Sequence, residues 1–302
     1  MPSRDTRRSA PAPSRAGSRG RPGGPPAKRP NRSWLPVAVP VGVVVAVVVA
    51  LVLVKVAGGG SSTPTAEPDR QPAPAGVVTA VTSVPASVLD TIGAPSGLTP
   101  PQRLPKATVL TKDGKPAVVY LGAEFCPYCA AERWPMVVAL SRFGTFSGLK
   151  ITHSSSTDVF ANTRTLSFVG SSYSSPYITF DPVEFENNRN GPLEQPDAIQ
   201  TRVEANFDKP PYSGIDGGIP FIDFGNQWSI GGPSYNVQIL QGLSWEEIAS
   251  QLSDPNQVLA VGVDGTANII SAAICQLTGG QPAAVCGSPG VRVATGRIPG
   301  AK

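Results

Sequence analysis

Two cysteines three positions apart, Cys126 and Cys129, form the part of the sequence best suited to covalent chemistry. They follow an apolar run at 117–121 that is short enough for a buried strand, and a stretch with helical periodicity comes after them. A cysteine at the start of a helix lies near unpaired backbone N–H groups and the positive end of the helix dipole, which both stabilise a thiolate. Cys129, one helical turn further on, is close enough to form a disulfide with Cys126. The spacing therefore predicts thiol–disulfide exchange.

A second segment, Gly218-Ile219-Pro220, lies ahead of an alternating strand pattern at 221–224. The order of strand, Cys-Pro-Tyr-Cys and helix, together with this segment, resembles the thioredoxin superfamily over about residues 107–252. The chain is also similar to an uncharacterised family, a domain of unknown function, of membrane-anchored thioredoxin-like proteins. The resemblance implies an α/β fold in which helices flank a thioredoxin-like mixed sheet, with an insertion before the proline loop.

The resemblance also implies roles for individual residues. Cys126 would attack a substrate disulfide, and Cys129 would resolve the intermediate. Ile219 and Pro220 would form a cis-proline loop that exposes the backbone at residue 219 for pairing with an extended substrate. Tyr128 would offer an aromatic surface to the same peptide.

The position six residues before the first cysteine departs from the superfamily pattern. Many thioredoxins bury an acid there as a proton relay, whereas this chain has Tyr120. Glu124, two residues before Cys126, is the nearest acid and is our candidate proton acceptor. A charge at that position is usually near the surface, so the alternative is a solvated side chain with no role in proton transfer.

The other two cysteines, Cys275 and Cys286, enclose a loop with Gly and Pro after the last predicted helix. Their separation suits a structural disulfide, and a pair that passes electrons to Cys126 is the alternative. A structural disulfide between Cys126 and Cys129, or a zinc site that uses all four cysteines, also has to be weighed. Zinc is disfavoured because Cys275 and Cys286 lack paired ligand spacing and His153 is the only histidine. We therefore expect no metal and no cofactor, and we expect His153 to be a strand-end or surface residue.

The first third of the chain has the composition of a membrane anchor with flanking segments. Residues 1–33 are rich in Arg, Pro, Ser and Gly and are predicted to be a disordered basic tail. Residues 34–56 contain a Val- and Ala-rich run long enough to cross a bilayer, and the basic residues before it predict a cytoplasmic N-terminus. Residues 57–105 are predicted to be a linker with an N-terminal extension, and 106–302 an extracytoplasmic thioredoxin-like domain. A cleaved signal peptide is the alternative.

Charge is divided unevenly along the chain, whose formal net charge is +4. Ten of the 25 basic residues and one of the 21 acidic residues precede residue 57, so the remainder carries a net charge of −5. We therefore expect anionic lipid headgroups, and not nucleic acid, as the partner of the basic tail.

Apolar periodicity and turn residues predict the other elements. The strand at 149–152 should pair in parallel with the strand at 116–121 through a right-handed crossover that contains the helix at 127–143. The remaining expectations are a strand at 77–81, a short helix at 87–92, strands at 165–169 and 177–180, a helix at 196–207, a hairpin at 221–230, a capped helix at 244–252, and a helix at 256–274 broken near 262–265.

The sequence thus predicts a single-pass membrane protein whose outer domain catalyses thiol–disulfide exchange on cysteines of exported proteins. A membrane redox protein is the expected electron partner. All four cysteines follow the anchor, on the side where disulfides persist. The alternative is a redox-inactive thioredoxin-fold binding or scaffold module of the cell envelope, with structural disulfides only.

Overall fold

The computed structural model of the chain describes residues 69–301. The predicted basic tail, the predicted membrane anchor and the first part of the predicted linker lie outside these residues.

Among the described residues the helices are α1 Ala75–Thr82, α2 Ala86–Ile92, α3 Pro127–Ser141, α4 Ala198–Phe207, α5 Trp245–Gln251, α6 Val258–Leu277, α7 Ala283–Cys286 and α8 Pro289–Thr295, with a 3-10 helix at Val237–Leu240. The strands are β1 Gln71–Pro72, β2 Gln102–Arg103, β3 Thr111–Lys112, β4 Lys115–Gly122, β5 Thr145–Ser147, β6 Lys150–His153, β7 Arg164–Ser167, β8 Ser172–Ser174, β9 Thr179–Glu184, β10 Phe221–Phe224 and β11 Trp228–Gly231.

The apolar run before the cysteines forms β4, the centre of a mixed sheet. Its side chains alternate between two hydrophobic clusters, with Val118 and Tyr120 in one and Val119 and Leu121 in the other, so both faces of the strand are buried. β9 pairs with β4 in parallel, and β10 pairs with it antiparallel. β11 and then β2 continue the sheet beyond β10, and β3 forms a hairpin with the start of β4. The described part of the chain is therefore a mixed α/β structure.

Helix α3 follows β4 directly and is buried on every side. Cys126 is its N-cap, and Pro127 occupies the first helical position, where the missing N–H costs nothing. Pro135 lies inside the helix and cannot donate to the carbonyl of Ala131. The hydroxyl of Tyr235 donates to that carbonyl at 2.8 Å, which compensates for the lost helical hydrogen bond.

The predicted parallel pairing of residues 149–152 with β4 is wrong. Strand β6 instead lies between β1 and β7 in a separate antiparallel sheet of three strands, and β9 is the parallel partner of β4. The reason is that α3 is apolar on its outer side as well, and the β6–β7 hairpin covers that side. Trp134 Nε1 donates to the carbonyl of Arg164 at 3.1 Å, and Thr165 Oγ1 donates to the carbonyl of Ala130 at 2.7 Å.

Helix α6 is continuous, so the break predicted near 262–265 is wrong. The glycines allow close packing and do not end the helix. A Cβ on Gly265 would lie 2.6 Å from Leu98 Cδ1, and one on Gly262 would lie 3.0 Å from Ile239 Cδ1. Among the described residues, α6 is the one helix long and apolar enough by itself to cross a membrane, and 89% of its most apolar window is buried inside the structure. The bent pair of α1 and α2 meets the same criterion only when its two helices are taken together.

The described residues before 105 pack into the same core as α6. Residues 77–81, predicted as a strand, lie in α1, because Val77 and Val81 are one helical turn apart and are both buried while Thr79 is exposed. The predicted helices at 87–92 and 244–252 are confirmed as α2 and α5, and Ser244 and Glu247 form the expected capping box. The predicted hairpin at 221–230 is confirmed as β10 and β11.

Candidate functional site

The Cys-Pro-Tyr-Cys segment forms the first turn of α3, at the carboxyl end of β4. Cys126 and Cys129 are free thiols; the first is 4% exposed and the second is fully buried. The backbone N–H of Cys129 donates to Cys126 Sγ at 3.3 Å. The first sulfur therefore accepts the hydrogen bond that an N-cap side chain ordinarily accepts, at the positive end of the helix dipole.

The surroundings of the two thiols separate their acidities. A hydrogen bond from the Cys129 side chain lowers the pKa of Cys126; the backbone N–H groups of Cys129 and Tyr128 and the charge of Arg133 act in the same direction, while burial opposes them. Burial raises the pKa of Cys129 well above its ordinary value. Cys126 is therefore the more acidic thiol of the pair, and Cys129 the less acidic one.

The loop before β10 brings a backbone carbonyl to Cys126. The Ile219–Pro220 peptide bond is cis, and β10 begins at Phe221, which lies opposite Leu121 at the end of β4. This register places the carbonyl of Ile219 3.9 Å from Cys126 Sγ. Pro220 is buried and Ile219 is half-buried.

Asp208 fixes the start of the same loop. Its side chain accepts the backbone N–H of Gly218 at 3.1 Å, and its backbone carbonyl accepts the N–H of Gly217. Burial raises the pKa of Asp208 to about 6. The loop that carries Ile219 is therefore attached to the C-terminal end of α4.

Tyr128 lies at the rim of the site, half-buried, with its ring edge-on to Phe160 at a centroid distance of 6.1 Å. Phe160 belongs to the loop between β6 and β7, and the N–H of Ser155 in that loop donates to the carbonyl of Phe125 at 2.8 Å. Two aromatic rings therefore flank the segment that carries Cys126. Phe160 is 34 residues from Cys126 in sequence, and no local pattern indicated its position.

Glu124 is buried, so the expectation that it lies near the surface is wrong. Its two carboxylate oxygens accept hydrogen bonds from Arg70 Nη1 and Ser167 Oγ, both at 2.7 Å. Strand β7 covers the residue, which the sequence could not indicate because the strand predicted at 165–169 had no predicted partner. With these two bonds Glu124 holds β7 and residue 70 against the end of β4, and its role as a proton acceptor stays a prediction.

A buried ion pair that the sequence analysis did not identify lies beside the cysteines. Arg133 of α3 donates from Nε and Nη2 to the two carboxylate oxygens of Glu184 of β9, at 2.7 and 2.6 Å. The two residues are 51 positions apart, so their pairing was not visible in sequence. The spacing of Cys126, Cys129 and Arg133 at i, i+3 and i+7 was visible, and it places the three side chains on one face of the helix.

Cys275 and Cys286 form a disulfide, in agreement with the bridge expected from their separation. They line an open cavity of about 530 Å³ between α6 and α8, and all the residues around this cavity lie between 275 and 295. None of the predicted exchange-site residues lines it. The bridge therefore fixes α7 to α6 and belongs to a different part of the described structure.

His153 lies at the end of β6, as its position in the strand pattern predicted. Its Nδ1 is 2.8 Å from the carbonyl of Ser154, and its Nε2 is 3.3 Å from Asn188 Nδ2. Between residues 69 and 301 no group of three or more His, Cys, Asp or Glu side chains is arranged to hold a metal ion.

The sequence model of one family, described as a domain of unknown function (DUF929), matches residues 106–213. The match covers β4, the Cys-Pro-Tyr-Cys segment, α3 and the chain as far as α4, and it ends before Ile219 and Pro220. Neither the comparison with curated proteins nor the comparison with solved structures found a match to this chain.

Proposed function

We propose that the chain is a membrane-anchored thiol–disulfide oxidoreductase with a thioredoxin-like domain outside the membrane. The topology supports this class of fold: a strand, a helix, a parallel strand and a helix are followed by an antiparallel hairpin on the other edge of the first strand. Residues 143–178, with the separate β6–β7 and β5–β8 pairs, would be the insertion before the proline loop. Helix α6 would be the last helix of the fold.

The observation that carries the proposal is the difference between the two thiols at the start of α3. Cys126 has a lowered pKa and accepts a backbone N–H, whereas Cys129 has a raised pKa and is fully buried. A pair used only as a structural bridge needs no such difference, because neither sulfur has to exist as a thiolate once the bond has formed.

The reaction follows from this difference. The Cys126 thiolate attacks one sulfur of a substrate disulfide, so a mixed disulfide forms and the other substrate sulfur leaves as a thiolate. Cys129 then attacks Cys126 Sγ and releases the second substrate sulfur, and its own proton neutralises a departing thiolate. Two electrons pass to the substrate, and the Cys126–Cys129 disulfide remains. With substrate dithiols the same steps run in reverse, and the direction is set by the reduction potential.

The proposed substrates are thiols or disulfides of exported proteins, presented as extended segments. The carbonyl of Ile219 beside Cys126 would accept a backbone N–H of the substrate, and Tyr128 with Phe160 would contact its side chains. The Cys275–Cys286 bridge supports a location outside the cytoplasm, where disulfides persist. The apolar run at 34–54 would hold the domain at the membrane, with a membrane redox protein as electron partner.

Trapping of the mixed disulfide tests the proposal. The full chain in detergent carries Cys129→Ser or, as the matched control, Cys126→Ser, and each variant is incubated with a peptide that contains one disulfide. We expect a stable peptide adduct on Cys126 in the Cys129→Ser chain, because the resolving thiol is missing, and no adduct on Cys129 in the control. If neither variant forms an adduct, or both form it equally, the binding or scaffold module becomes the better account.

A further inference from the structure

The ion pair of Arg133 and Glu184 is fully buried, next to the cysteines. Removing two charges from water is unfavourable, and an apolar pair of similar size is often as stable. Stabilisation of the fold alone therefore does not explain why this ion pair is present. Its position beside the cysteines indicates a role at the candidate site.

Arg133 is connected to both cysteines. It follows Cys129 by four residues on α3, which places the two side chains next to each other on one helix face. Its Nη2 also donates to the carbonyl of Ala123 at 2.9 Å, and this carbonyl accepts the backbone N–H of Cys126 at 3.3 Å. The guanidinium group thus lies beside Cys129, and the carbonyl of Ala123 connects it to the backbone N–H of Cys126.

The environment of the guanidinium contains donors without acceptors. Within the described part of the chain, Arg133 Nη1 and the hydroxyl of Tyr120 are buried and have no hydrogen-bond partner. The Tyr120 ring centroid is 6.0 Å from Arg133 Cζ. A buried donor without an acceptor is destabilising, because its lost hydration is not replaced. A negative charge on a nearby sulfur is the feature that would make such donors favourable.

The effects of Arg133 and Glu184 on the pKa values of the cysteines agree with the position of the guanidinium group. Burial keeps the pKa of Cys129 raised, but the charge of Arg133 acts to lower the pKa of both cysteines, and the opposite effect of Glu184 on Cys129 is smaller. Both carboxylate oxygens of Glu184 are engaged by Nε and Nη2, on one side of the guanidinium group. The pair therefore presents positive charge to the sulfur atoms although it is neutral as a whole.

We propose that Arg133 is a positioning residue that stabilises negative charge on Cys126 and, during resolution, on Cys129, with Glu184 limiting the size of this effect. The inference rests on the proposed exchange function. The Cys129 proton passes to the first substrate thiolate, which was released when the mixed disulfide formed. Arg133 then stabilises the Cys129 thiolate until it attacks Cys126 Sγ and the second substrate sulfur leaves.

Two variants of the full chain in detergent test the inference by the sign of their effects. Glu184→Gln leaves Arg133 charged and hydrogen-bonded but removes the opposing carboxylate. We expect it to lower the pKa of Cys126 and to shift the equilibrium with glutathione toward the dithiol, about tenfold for each pKa unit. The double variant Arg133→Met, Glu184→Gln removes both charges, and we expect the opposite shifts. The pKa is measured from the ultraviolet absorbance of the thiolate, with Cys126→Ser as the blank.

The control is Arg142→Met. Arg142 caps the other end of α3, is half-buried and donates to Asn268, Ser271 and Ser288. We expect this variant to lose stability without a change in the pKa of Cys126. If Glu184→Gln does not fold, the double variant decides alone, because it leaves no unpaired buried charge.

The outcomes separate the inference from the proposed function. Shifts of the same sign in both Glu184 variants, or no shift in a folded double variant, would overturn the role of Arg133 while the wild-type exchange reaction stands. A wild-type chain whose Cys126 and Cys129 form no reversible couple with glutathione would instead contradict the proposed function itself.

Discussion

Cys126 and Cys129 lie in one helical turn, but their surroundings give them opposite tendencies. The first accepts hydrogen bonds at the N-terminus of α3, which lower its pKa, and is slightly exposed, while the second is enclosed and has a pKa raised by burial. Exchange needs this division, because one sulfur has to attack from outside and the other has to wait until the mixed disulfide has formed. The difference in pKa between the two thiols depends on the hydrogen bonds and the burial of each sulfur atom.

Three buried carboxyl groups have pKa values that burial raises toward neutrality. Burial raises the pKa of Asp264 in α6 to about 8, although the positive charge of Arg142 opposes the shift. Both carboxyl oxygens of Asp264 are buried and have no hydrogen-bond partner in the described structure. Burial also raises the pKa values of Glu132 and Asp223 to about 7. These carboxyls are therefore protonated in the folded chain over a range where the unfolded chain has already lost the protons.

We predict that the folded chain is more stable at about pH 5 than at about pH 8. The pKa of Asp264 is higher in the folded chain, so its contribution is complete below its ordinary value of 3.8 and is lost as the pH rises to about 8. The variant Asp264→Asn should reduce the difference by at least about 1.4 kcal/mol, the value of one pKa unit. Denaturant unfolding of the full chain at the two pH values measures it. Asp113→Asn at an exposed turn is the control, and an undiminished difference in Asp264→Asn would contradict the assignment.

At the scale of elements, close approaches between helices hold the C-terminal part of the chain together. Gly290 in α8 lies against α2: a Cβ there would be 2.6 Å from the carbonyl oxygen of Leu89 and 2.9 Å from Asn268 Nδ2. Asn268 of α6 donates to the carbonyls of Leu89 and Gly93, both at 2.8 Å. Three helices therefore meet at this point, and the obstructing atoms at Gly290 include backbone, which cannot turn away.

We predict that Gly290→Ala lowers the free energy of unfolding by about 1–3 kcal/mol, the usual cost of overpacking a well-packed site. The matched control is Gly76→Ala in α1, where a Cβ would meet nothing within 4 Å. That variant should raise stability by up to about 1 kcal/mol, because alanine favours the helix and restricts the unfolded chain. Denaturant unfolding of both variants measures the two effects. Equal losses in both, or no loss at Gly290, would contradict the packing described for α8.

The elements that could be predicted from the sequence are those with local signals, whereas the errors arise where packing against distant residues decides the structure. β4, α3 and the β10–β11 hairpin have local signals: an uninterrupted apolar run, an N-terminal proline and a Gly-Asn turn. The glycines of α6 were misleading, because in sequence a glycine that permits contact with Leu98 cannot be distinguished from one that ends a helix. Strand β6 was assigned the wrong partner because its apolar residues suit either the central sheet or the outer side of α3.

At the scale of the whole molecule, the candidate site lies where separate segments meet. β4 and α3 supply the cysteines, the loop before β10 supplies Ile219, and the β6–β7 loop supplies Phe160. The cysteines and the proline loop could be predicted because each has its own motif. Arg133 with Glu184, and Glu124 with Ser167, could not be predicted because each pair joins distant parts of the chain and depends on how β7 and β9 are placed.

The central claim is that Cys126 and Cys129 form a reversible redox couple. The most direct test equilibrates the full chain in detergent with glutathione buffers of graded ratio and follows alkylation of Cys126 by mass. The account predicts a single reversible transition within the range of thioredoxin-like proteins, about −120 to −270 mV, with Cys275 and Cys286 still bonded. A Cys126–Cys129 disulfide that stays oxidised below about −300 mV would behave as a structural bridge and would contradict the account.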